Sequence, residues 1–210
     1  MEQLLLQCEQ QVRSIYEEFD ASHDFDHIER VRRNAEAICI TIPEADTMIV
    51  QLAVLLHDID DPKYRTAESR TPKDVLTSIG ASPDSIHRVV ETIESVSFSG
   101  GQSKDLKSIE GAIVRDADRL DAIGAVGIAR TFAYGGAKGR KLYDKAESAR
   151  LSMTEEEYRT KSTSSVTHFY EKLLLLKDLM VTEEGKRLAE ERHAFMVEFL
   201  AQLDREVGLR

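Results

Sequence analysis

Apolar residues recur along almost the whole chain with the spacing of an α-helix. The first stretch predicts a helix over residues 2–19, because its apolar side chains follow three- and four-residue steps that place them on one stripe. This stripe consists of Leu5, Cys8, Val12, Ile15 and Phe19. Alternation of apolar and polar residues, which is typical of a half-buried strand, is almost absent. The pattern therefore predicts an all-α fold.

The same periodicity divides the middle of the chain. Helices are expected at about residues 24–40, 44–57, 106–119 and 120–134, with a bend near Asp118. Two further starts, at residues 71–72 and 82–83, are marked by a serine or threonine followed by proline. These residue types suit the N-cap and the first helical position.

The last third of the chain contains two long helical patterns. Thr154 with Glu157 forms a capping box that predicts a helix to about Met180, and Thr182 begins a last helix. That last helix carries the apolar residues Leu188, Phe195, Phe199 and Leu203. The segments SFSGGQSKD and YGGAKGRKLYDK break the periodicity and predict loops.

The charge of the chain restricts its partners. With 38 acidic and 28 basic residues, the net charge of −10 argues against general binding to a nucleic-acid polymer or to an anionic membrane. An anionic small molecule stays open, because a metal and a few local cations can dominate the field of a pocket. We expect a small-molecule substrate, and a chain that is a monomer or a homodimer.

The cysteines and the N-terminal sequence give an expectation for the cellular location of the protein. Cys8 and Cys39 belong to helix-like patterns without a CxxC motif, so free thiols are favoured over a disulfide framework or a zinc knuckle. The N-terminus lacks the cationic start and the apolar stretch of a signal peptide. No apolar run approaches the roughly 20 residues that span a bilayer. The expected location is the cytoplasm.

Histidine and aspartate recur at three separated points, each at the edge of an apolar helical run. They are His27 in SHDFDHIERV, His57 with Asp58 in LLHDIDD, and Asp118 in VRDADRLDAIG. Together they offer two imidazole nitrogens and two carboxylates, which can bind one divalent metal and activate water for hydrolysis. Each alone has a plainer interpretation: a satisfied histidine, a polar helix end, or an ion pair with a neighbouring arginine. The set is more informative, because a buried aspartate after IVQLAVLLH needs a cation or several donors.

The strings HDFDHIERV, LLHDIDD and DADRLDAIG resemble the H…HD…D signature of the HD-domain metal-dependent phosphohydrolases. The segments FAYGG, HFYEKLLLLKDLM and TEEGKRLAEERHAFMVEFL, in this order, are similar to the small bacterial YpgQ- and YedJ-type branch. This resemblance covers nearly the whole chain. It implies one all-helical HD domain over residues 1–210, with a metal-site core at about 22–135 and additional N- and C-terminal helices packed on it.

The resemblance also implies a set of metal ligands. His27, His57, Asp58 and Asp118 match those of the family and would hold one divalent ion per chain, with water or substrate oxygens in the remaining positions. Mixed nitrogen and oxygen ligands suit Mn, Ni, Co, Fe or Zn, and two imidazoles make Mg less favoured.

Asp61 is the first candidate for moving a proton. It lies three residues after Asp58, where several HD hydrolases have an acidic catalytic residue, although this chain has aspartate where some relatives have glutamate. The alternative is that Asp60 and Asp61 only cap the turn before Pro62.

Further polar residues surround the predicted ligands in the sequence. His23 is either a candidate hydrogen-bond donor to a substrate phosphate or a surface histidine. Asp24 and Asp26 either orient His27 or suit the start of a helix. Asp121 shares a face with Asp118, so it either orients a ligand or a bound water, or forms a salt bridge with an arginine.

A nucleotide substrate also needs cations for its phosphates. Two glycine-containing loops supply candidates, and two arginines lie near predicted ligands in sequence. The candidate phosphate-binding residues are Arg30, Lys104, Arg119, Lys138, Arg140 and Lys141. A solvated basic loop is the alternative, since the GxxxxGK[ST] pattern of a P-loop is missing.

The resemblance implies phosphate-bond hydrolysis and makes a (deoxy)nucleoside triphosphate the leading substrate, cleaved to a nucleoside monophosphate and pyrophosphate. A nucleoside monophosphate phosphatase, or another small phosphoester hydrolase, would use the same metal set. A cyclic-dinucleotide phosphodiesterase is disfavoured because a GYP-containing extension is missing, and an alarmone hydrolase because HDIDDPKY lacks the HDxxED acidic pair. A nucleotide-binding sensor with a structural metal is an alternative of a different class.

Overall fold

The computed structural model describes residues 2–19, 24–61, 65–66, 69–96, 98–99, 102–103, 105–150 and 163–208. Within these ranges the fold is all-α apart from two short strands, which confirms the predicted class. The first helices are α1 (Glu2–Tyr16), α2 (Phe25–Cys39), α3 (Thr47–Leu56), α4 (Pro72–Ser78) and α5 (Pro83–Val96). The strands β1 (Phe98–Ser99) and β2 (Gln102–Ser103) pair with each other. They are followed by α6 (Ile109–Asp121), α7 (Gly124–Ala137), α8 (Ser165–Glu171), a 3-10 helix (Leu173–Leu179) and α9 (Glu183–Val207).

The chain divides into two compact units. The first consists of residues 1–97 and 103–118, and the second of residues 98–102 and 119–210. The prediction of a single domain stays a prediction. Among the described residues, no helix combines the length and the apolar character that crossing a membrane requires.

Helix α3 forms the centre of the first unit. Every residue from Leu52 to Leu56 is buried, so α3 is apolar on all sides and packs against α1, α2 and α5. It begins at Thr47, three residues later than predicted, because the Asp46 carboxylate accepts hydrogen bonds from the backbone N–H groups of Met48 and Ile49. Arg88 of α5 also donates to Asp46, at 2.8 Å, which ties the start of α3 to α5.

The second unit is built around α9, which packs against α7 and the 3-10 helix. Phe132, Phe169 and Phe199 form an aromatic cluster with ring centroids 5.8 to 6.2 Å apart. The buried Glu171 carboxylate accepts from the Arg150 guanidinium at 2.6 Å, so a charge inside this unit is paired.

The helix predicted to run to Met180 is wrong as one continuous element. The chain is non-helical at Thr163 and Ser164, and the Ser164 hydroxyl then caps the short helix α8. Lys172 leaves helical geometry at φ −140°, and the following leucine run forms the 3-10 helix. The capping box of Thr154 and Glu157 lies outside the described residues. Thr182 does cap the last helix, as predicted, through the N–H of Gly185.

Three smaller predictions also differ. The bend expected near Asp118 lies later, because α6 continues to Asp121 and the break precedes Gly124, whose φ of +75° favours glycine. The loop expected from Tyr134 begins only at Lys138, since α7 extends to Ala137. The segment SFSGGQSKD contains the two strands, which are too short to produce a visible alternation.

The apolar residues of α9 differ in how far they are buried. Phe195 is 49% exposed, whereas the buried residues of this helix include Ala189, Met196 and Leu200. The two cysteines are free as predicted, with Cys8 buried and Cys39 half-buried. Burial raises the pKa of the Cys8 thiol to about 12, which makes it inert packing.

Candidate metal centre

His27 lies in the first turn of α2. The Asp24 carboxylate accepts a hydrogen bond from the His27 backbone N–H at 3.0 Å and thereby caps the helix. This is one of the two roles predicted for Asp24, whereas Asp26 is exposed. The His27 side chain is only 1% exposed, and Ile28 and Val31 are buried on the same helix. A buried imidazole is thus held at a rigid helix start.

His57 and Asp58 lie just past the end of α3. The His57 Nδ1 atom lies 2.9 Å from the carbonyl oxygen of Val54. Because a carbonyl only accepts hydrogen bonds, this contact places a proton on Nδ1 and leaves Nε2 as the ligand atom of the neutral ring. The Asp61 N–H donates to the Asp58 carbonyl at 3.0 Å, which closes a turn around Asp58.

Asp118 lies near the end of α6, directly after Ala117. The buried amide of Asn34, on α2, donates to the Ala117 carbonyl at 3.0 Å. This bond holds α6 against the helix that carries His27. Asp118 keeps 35% of its side chain exposed, so the centre is open at this carboxylate.

The four side chains converge. Oδ2 of Asp58 lies 3.5 Å from the Nε2 atoms of both His27 and His57. Oδ1 of Asp118 lies 3.6 Å from Nε2 of His27 and 3.8 Å from that of His57. The ligand atoms of His27, His57 and Asp118 all lie within 4.8 Å of one another and form a candidate metal site.

A divalent ion would fit between these side chains if their ligand atoms moved slightly closer together. Nitrogen and oxygen ligands at about 2.1 Å from an ion lie roughly 3.0 to 3.5 Å apart around it. The Nε2 atom of His57 is buried without a hydrogen-bond partner, and its carboxylate neighbours are beyond hydrogen-bond reach. An ion between these groups would satisfy the nitrogen and both negative charges.

The electrostatics of the site follow from the same contacts. Burial lowers the pKa of His57, but the charges of Asp58 and Asp118 outweigh it and raise the pKa to about 10. Burial opposes ionisation of Asp118, yet His57 and His27 hold the pKa of its carboxyl below the ordinary value. The centre therefore favours positive charge between its two carboxylates.

Tyr16 lies next to this centre, beside the end of α3, and the sequence analysis missed it. It is fully buried, and its hydroxyl donates to the Leu55 carbonyl at 3.1 Å. Burial raises the pKa of Tyr16 well above its ordinary value, and the charges of Asp58 and Asp118 also act on it. The sequence signal was weak, because Tyr16 lies beside the apolar stripe of α1 and resembles ordinary packing.

The other predicted residues of the first unit fall in different places. Asp61 is half-buried in the turn after Asp58, and Asp60 forms an ion pair with Arg65 at 3.0 Å. Arg30 is half-buried on α2. His23 and Lys104 lie outside the described residues.

Two predicted residues belong to the second unit and are engaged there. The buried Asp121 carboxylate accepts from Arg130 at 2.5 Å, which is the salt bridge weighed as the alternative to a catalytic role. The buried Arg119 guanidinium donates to the Leu179 carbonyl at 2.5 Å.

The basic loop of the second unit surrounds an aromatic ring. The Arg140 guanidinium lies 5.2 Å and the Lys138 ammonium 5.7 Å from the ring centroid of Tyr134. Lys141 instead pairs with Asp144 at 2.6 Å. Burial, Lys172 and Arg140 together lower the pKa of His168 to about 4, so this histidine is neutral beside the cations.

The comparisons with known proteins bear on the same residues. The sequence model described as "HD domain" matches residues 24–123, which include all four converging side chains. The protein YpgQ of Bacillus subtilis (strain 168) is 40% identical over 201 residues, covering 93% of this chain and 90% of YpgQ. This chain belongs to the HD domain family. Its similarity to YpgQ places it in the YpgQ-type branch, as the sequence resemblance implied.

Solved HD structures agree with this assignment. A protein of Lactobacillus plantarum superposes with a TM-score of 0.84 at 34% identity, covering 100% of this chain and 99% of that one. The crystal structure of Bacillus subtilis YpgQ in complex with ADP superposes with a TM-score of 0.78 at 36% identity, covering 97% of this chain and 95% of that one. An HD-superfamily hydrolase from Bacillus thuringiensis superposes with a TM-score of 0.75 at 36% identity, covering 98% of this chain and 97% of that one. The chain is an HD-superfamily hydrolase, a metal-dependent phosphohydrolase.

Proposed function

We propose that this HD hydrolase cleaves (deoxy)nucleoside triphosphates to nucleoside monophosphates and pyrophosphate. His27, His57, Asp58 and Asp118 would hold one divalent transition metal, with Mn, Ni, Co, Fe or Zn favoured over Mg. The observation that carries this proposal is the approach of both imidazole Nε2 atoms to both carboxylates at 3.5 to 3.8 Å. Such a mixed set of nitrogen and oxygen donors suits these metals.

A nucleotide is the substrate class that the relatives support. Bacillus subtilis YpgQ has been crystallised in complex with ADP. That protein is 36% identical to this chain, and the match covers 97% of this chain. The accessible Asp118 leaves one side of the centre open to a ligand. A bound divalent ion would supply the positive charge that polarises a phosphoryl group and acidifies water.

The residues of the chain would then handle protons and charge. Asp61, half-buried in the turn that Asp58 begins, is the residue that we propose accepts a proton from the attacking water. Attack on the α-phosphorus breaks its bond to the bridging oxygen, and pyrophosphate leaves with that oxygen. Arg30 is the proposed phosphate contact among the described residues of the first unit, because cations stabilise the charge of a phosphate chain.

The test is product identification with purified protein. The protein is stripped of metal, loaded with Mn²⁺ and incubated with a panel of nucleoside tri-, di- and monophosphates. Pyrophosphate with nucleoside monophosphate supports the proposal, and orthophosphate from monophosphates identifies a phosphatase instead. Nucleotide binding without turnover, for Mn²⁺, Ni²⁺ and Co²⁺ alike, would identify a sensor and overturn the enzymatic assignment.

A further inference from the structure

Tyr16 contacts the surroundings of the candidate metal centre from outside the segment that the HD model matches. That segment begins at residue 24, whereas Tyr16 lies at the end of α1. Tyr16 is fully buried, and its polar atom faces the end of the helix that precedes His57. A buried hydroxyl persists where it satisfies a partner, because burying one without a hydrogen bond is unfavourable.

The hydroxyl holds the last turn of α3. Leu55 lies in the final turn, where backbone carbonyls lose their partners within the helix. Tyr16 donates to the Leu55 carbonyl at 3.1 Å, and the neighbouring Val54 carbonyl contacts Nδ1 of His57 at 2.9 Å. Two consecutive carbonyl oxygens thus accept hydrogen bonds: that of Val54 from the ring of His57, and that of Leu55 from Tyr16 of α1.

The ring of Tyr16 faces the start of α2. Its centroid lies 6.2 Å from that of Phe25, the first residue of α2 and two positions before His27. Arg13, one turn earlier on α1, covers the other ring with its guanidinium 3.8 Å from the Phe25 centroid. A further contact from α1 to α2 is the ion pair of Glu9 with Arg32 at 3.2 Å. Helix α1 therefore contacts both elements that carry the imidazole ligands.

We propose that Tyr16 is a positioning residue for the metal centre, which fixes the His57–Asp58 turn through its hydroxyl and the His27 turn through its ring. This inference rests on the proposed metal ligation. Metal affinity depends on holding ligands in place before the ion arrives, and partners of the ligands commonly change it by about 10- to 100-fold. In this chain the N-terminal helix would contribute to the centre without supplying a ligand.

The experiment compares Tyr16→Phe with Val12→Ala in the full chain. The first removes only the hydroxyl, while the second removes buried packing one turn earlier on the same helix. Mn²⁺ binding to metal-stripped protein is measured by calorimetry, and amide hydrogen exchange of residues 55–59 is measured without metal. We expect Tyr16→Phe to weaken Mn²⁺ binding about tenfold and to speed exchange in that turn. Val12→Ala should lower the melting temperature while changing the Kd less than twofold.

Phe25→Leu tests the ring contact separately, and a severalfold weaker Mn²⁺ binding is expected because the ring supports the turn of His27. An unchanged Kd in Tyr16→Phe, or an equal loss in Val12→Ala, would overturn the inference while leaving the metal centre intact. A wild-type protein that does not bind Mn²⁺, Ni²⁺ or Co²⁺ would overturn the proposed ligation and this inference with it.

Discussion

The Nε2 atom of His27, in the first turn of α2, lies 3.6 Å from Oδ1 of Asp118, near the end of α6. A hydrogen bond from Asn34 of α2 to the Ala117 carbonyl of α6 joins the two helices next to Asp118. The approach of His27 to Asp118 makes the two groups available to a single ion.

Asp58 is the most sensitive position for metal content. Its Oδ2 lies 3.5 Å from both imidazoles, so Asp58→Ala removes one of the two negative charges that face them. We expect loss of bound Mn²⁺ together with loss of turnover, measured by elemental analysis and by product release. The exposed Asp84→Asn serves as the control and should change neither. Retention of metal by Asp58→Ala would contradict the ligand assignment.

Asp61 should separate chemistry from metal binding. Asp61→Asn keeps the size of the side chain but loses the group that is proposed to accept a proton. We expect unchanged metal content and a turnover about 10²- to 10⁴-fold lower, as for other general bases. The measurement is kcat at saturating nucleotide, beside a metal assay on the same sample. Full turnover would leave Asp61 with the role of a turn residue.

Asn34 connects α2 to α6 through a buried hydrogen bond. Asn34→Ala leaves the Ala117 carbonyl without this donor, which we expect to lower the free energy of unfolding by about 1–3 kcal/mol. Metal affinity should fall as well, because Ala117 precedes Asp118. Thr41→Ala is the control, since it removes a local, part-buried hydrogen bond from the hydroxyl of an exposed residue to the Ile38 carbonyl. Equal losses in urea unfolding for the two variants would contradict the special role of Asn34.

His168 makes the stability of the second unit depend on pH. Burial, followed by Lys172 and Arg140, lowers its pKa from 6.5 to about 4, so the unfolded chain binds the proton more readily. The neutral ring contributes stability above about pH 6.5, and this is lost as the pH falls towards 4. We expect wild type to lose up to about 3 kcal/mol more than His168→Gln across this window. The free energy of unfolding of both proteins is measured at pH 7 and pH 4.5. An equal loss between the two pH values in wild type and His168→Gln would contradict the role of His168.

Gly127 is required by a close approach within the second unit. A Cβ at this position of α7 would overlap the backbone carbonyl of Ala122, which cannot move aside as a side chain can. Gly127→Ala should therefore destabilise the protein by about 1–3 kcal/mol. At Gly136, on the same helix, a Cβ meets nothing within 4 Å. Gly136→Ala should be neutral or stabilising by up to about 1 kcal/mol in thermal unfolding.

Local signals predicted most of the first unit. Asp24 and Thr71 cap α2 and α4, and Pro83 begins α5, each where the side-chain chemistry at a helix start indicated. The later helices were harder, because a leucine run satisfies the helical period whether it forms an α-helix or a 3-10 helix. Periodicity also does not say which apolar residue of a helix is covered, and Phe195 of α9 is 49% exposed.

Helical periodicity in the sequence was enough to predict the fold class, and the order of histidines and aspartates, with its resemblance to the HD-domain signature, implied a metal-dependent hydrolase, because ligand chemistry and periodicity are both properties of residue type and spacing. Only the folded structure showed the imidazoles of His27 and His57 within 4 Å of the carboxylates of Asp58 and Asp118. It also showed the hydroxyl of Tyr16 donating to the Leu55 carbonyl at the end of α3. It also showed Asp121 and Arg119 engaged with partners in the second unit. Such contacts join residues far apart along the chain, and their distances depend on how buried surfaces pack, which no local pattern of residues specifies.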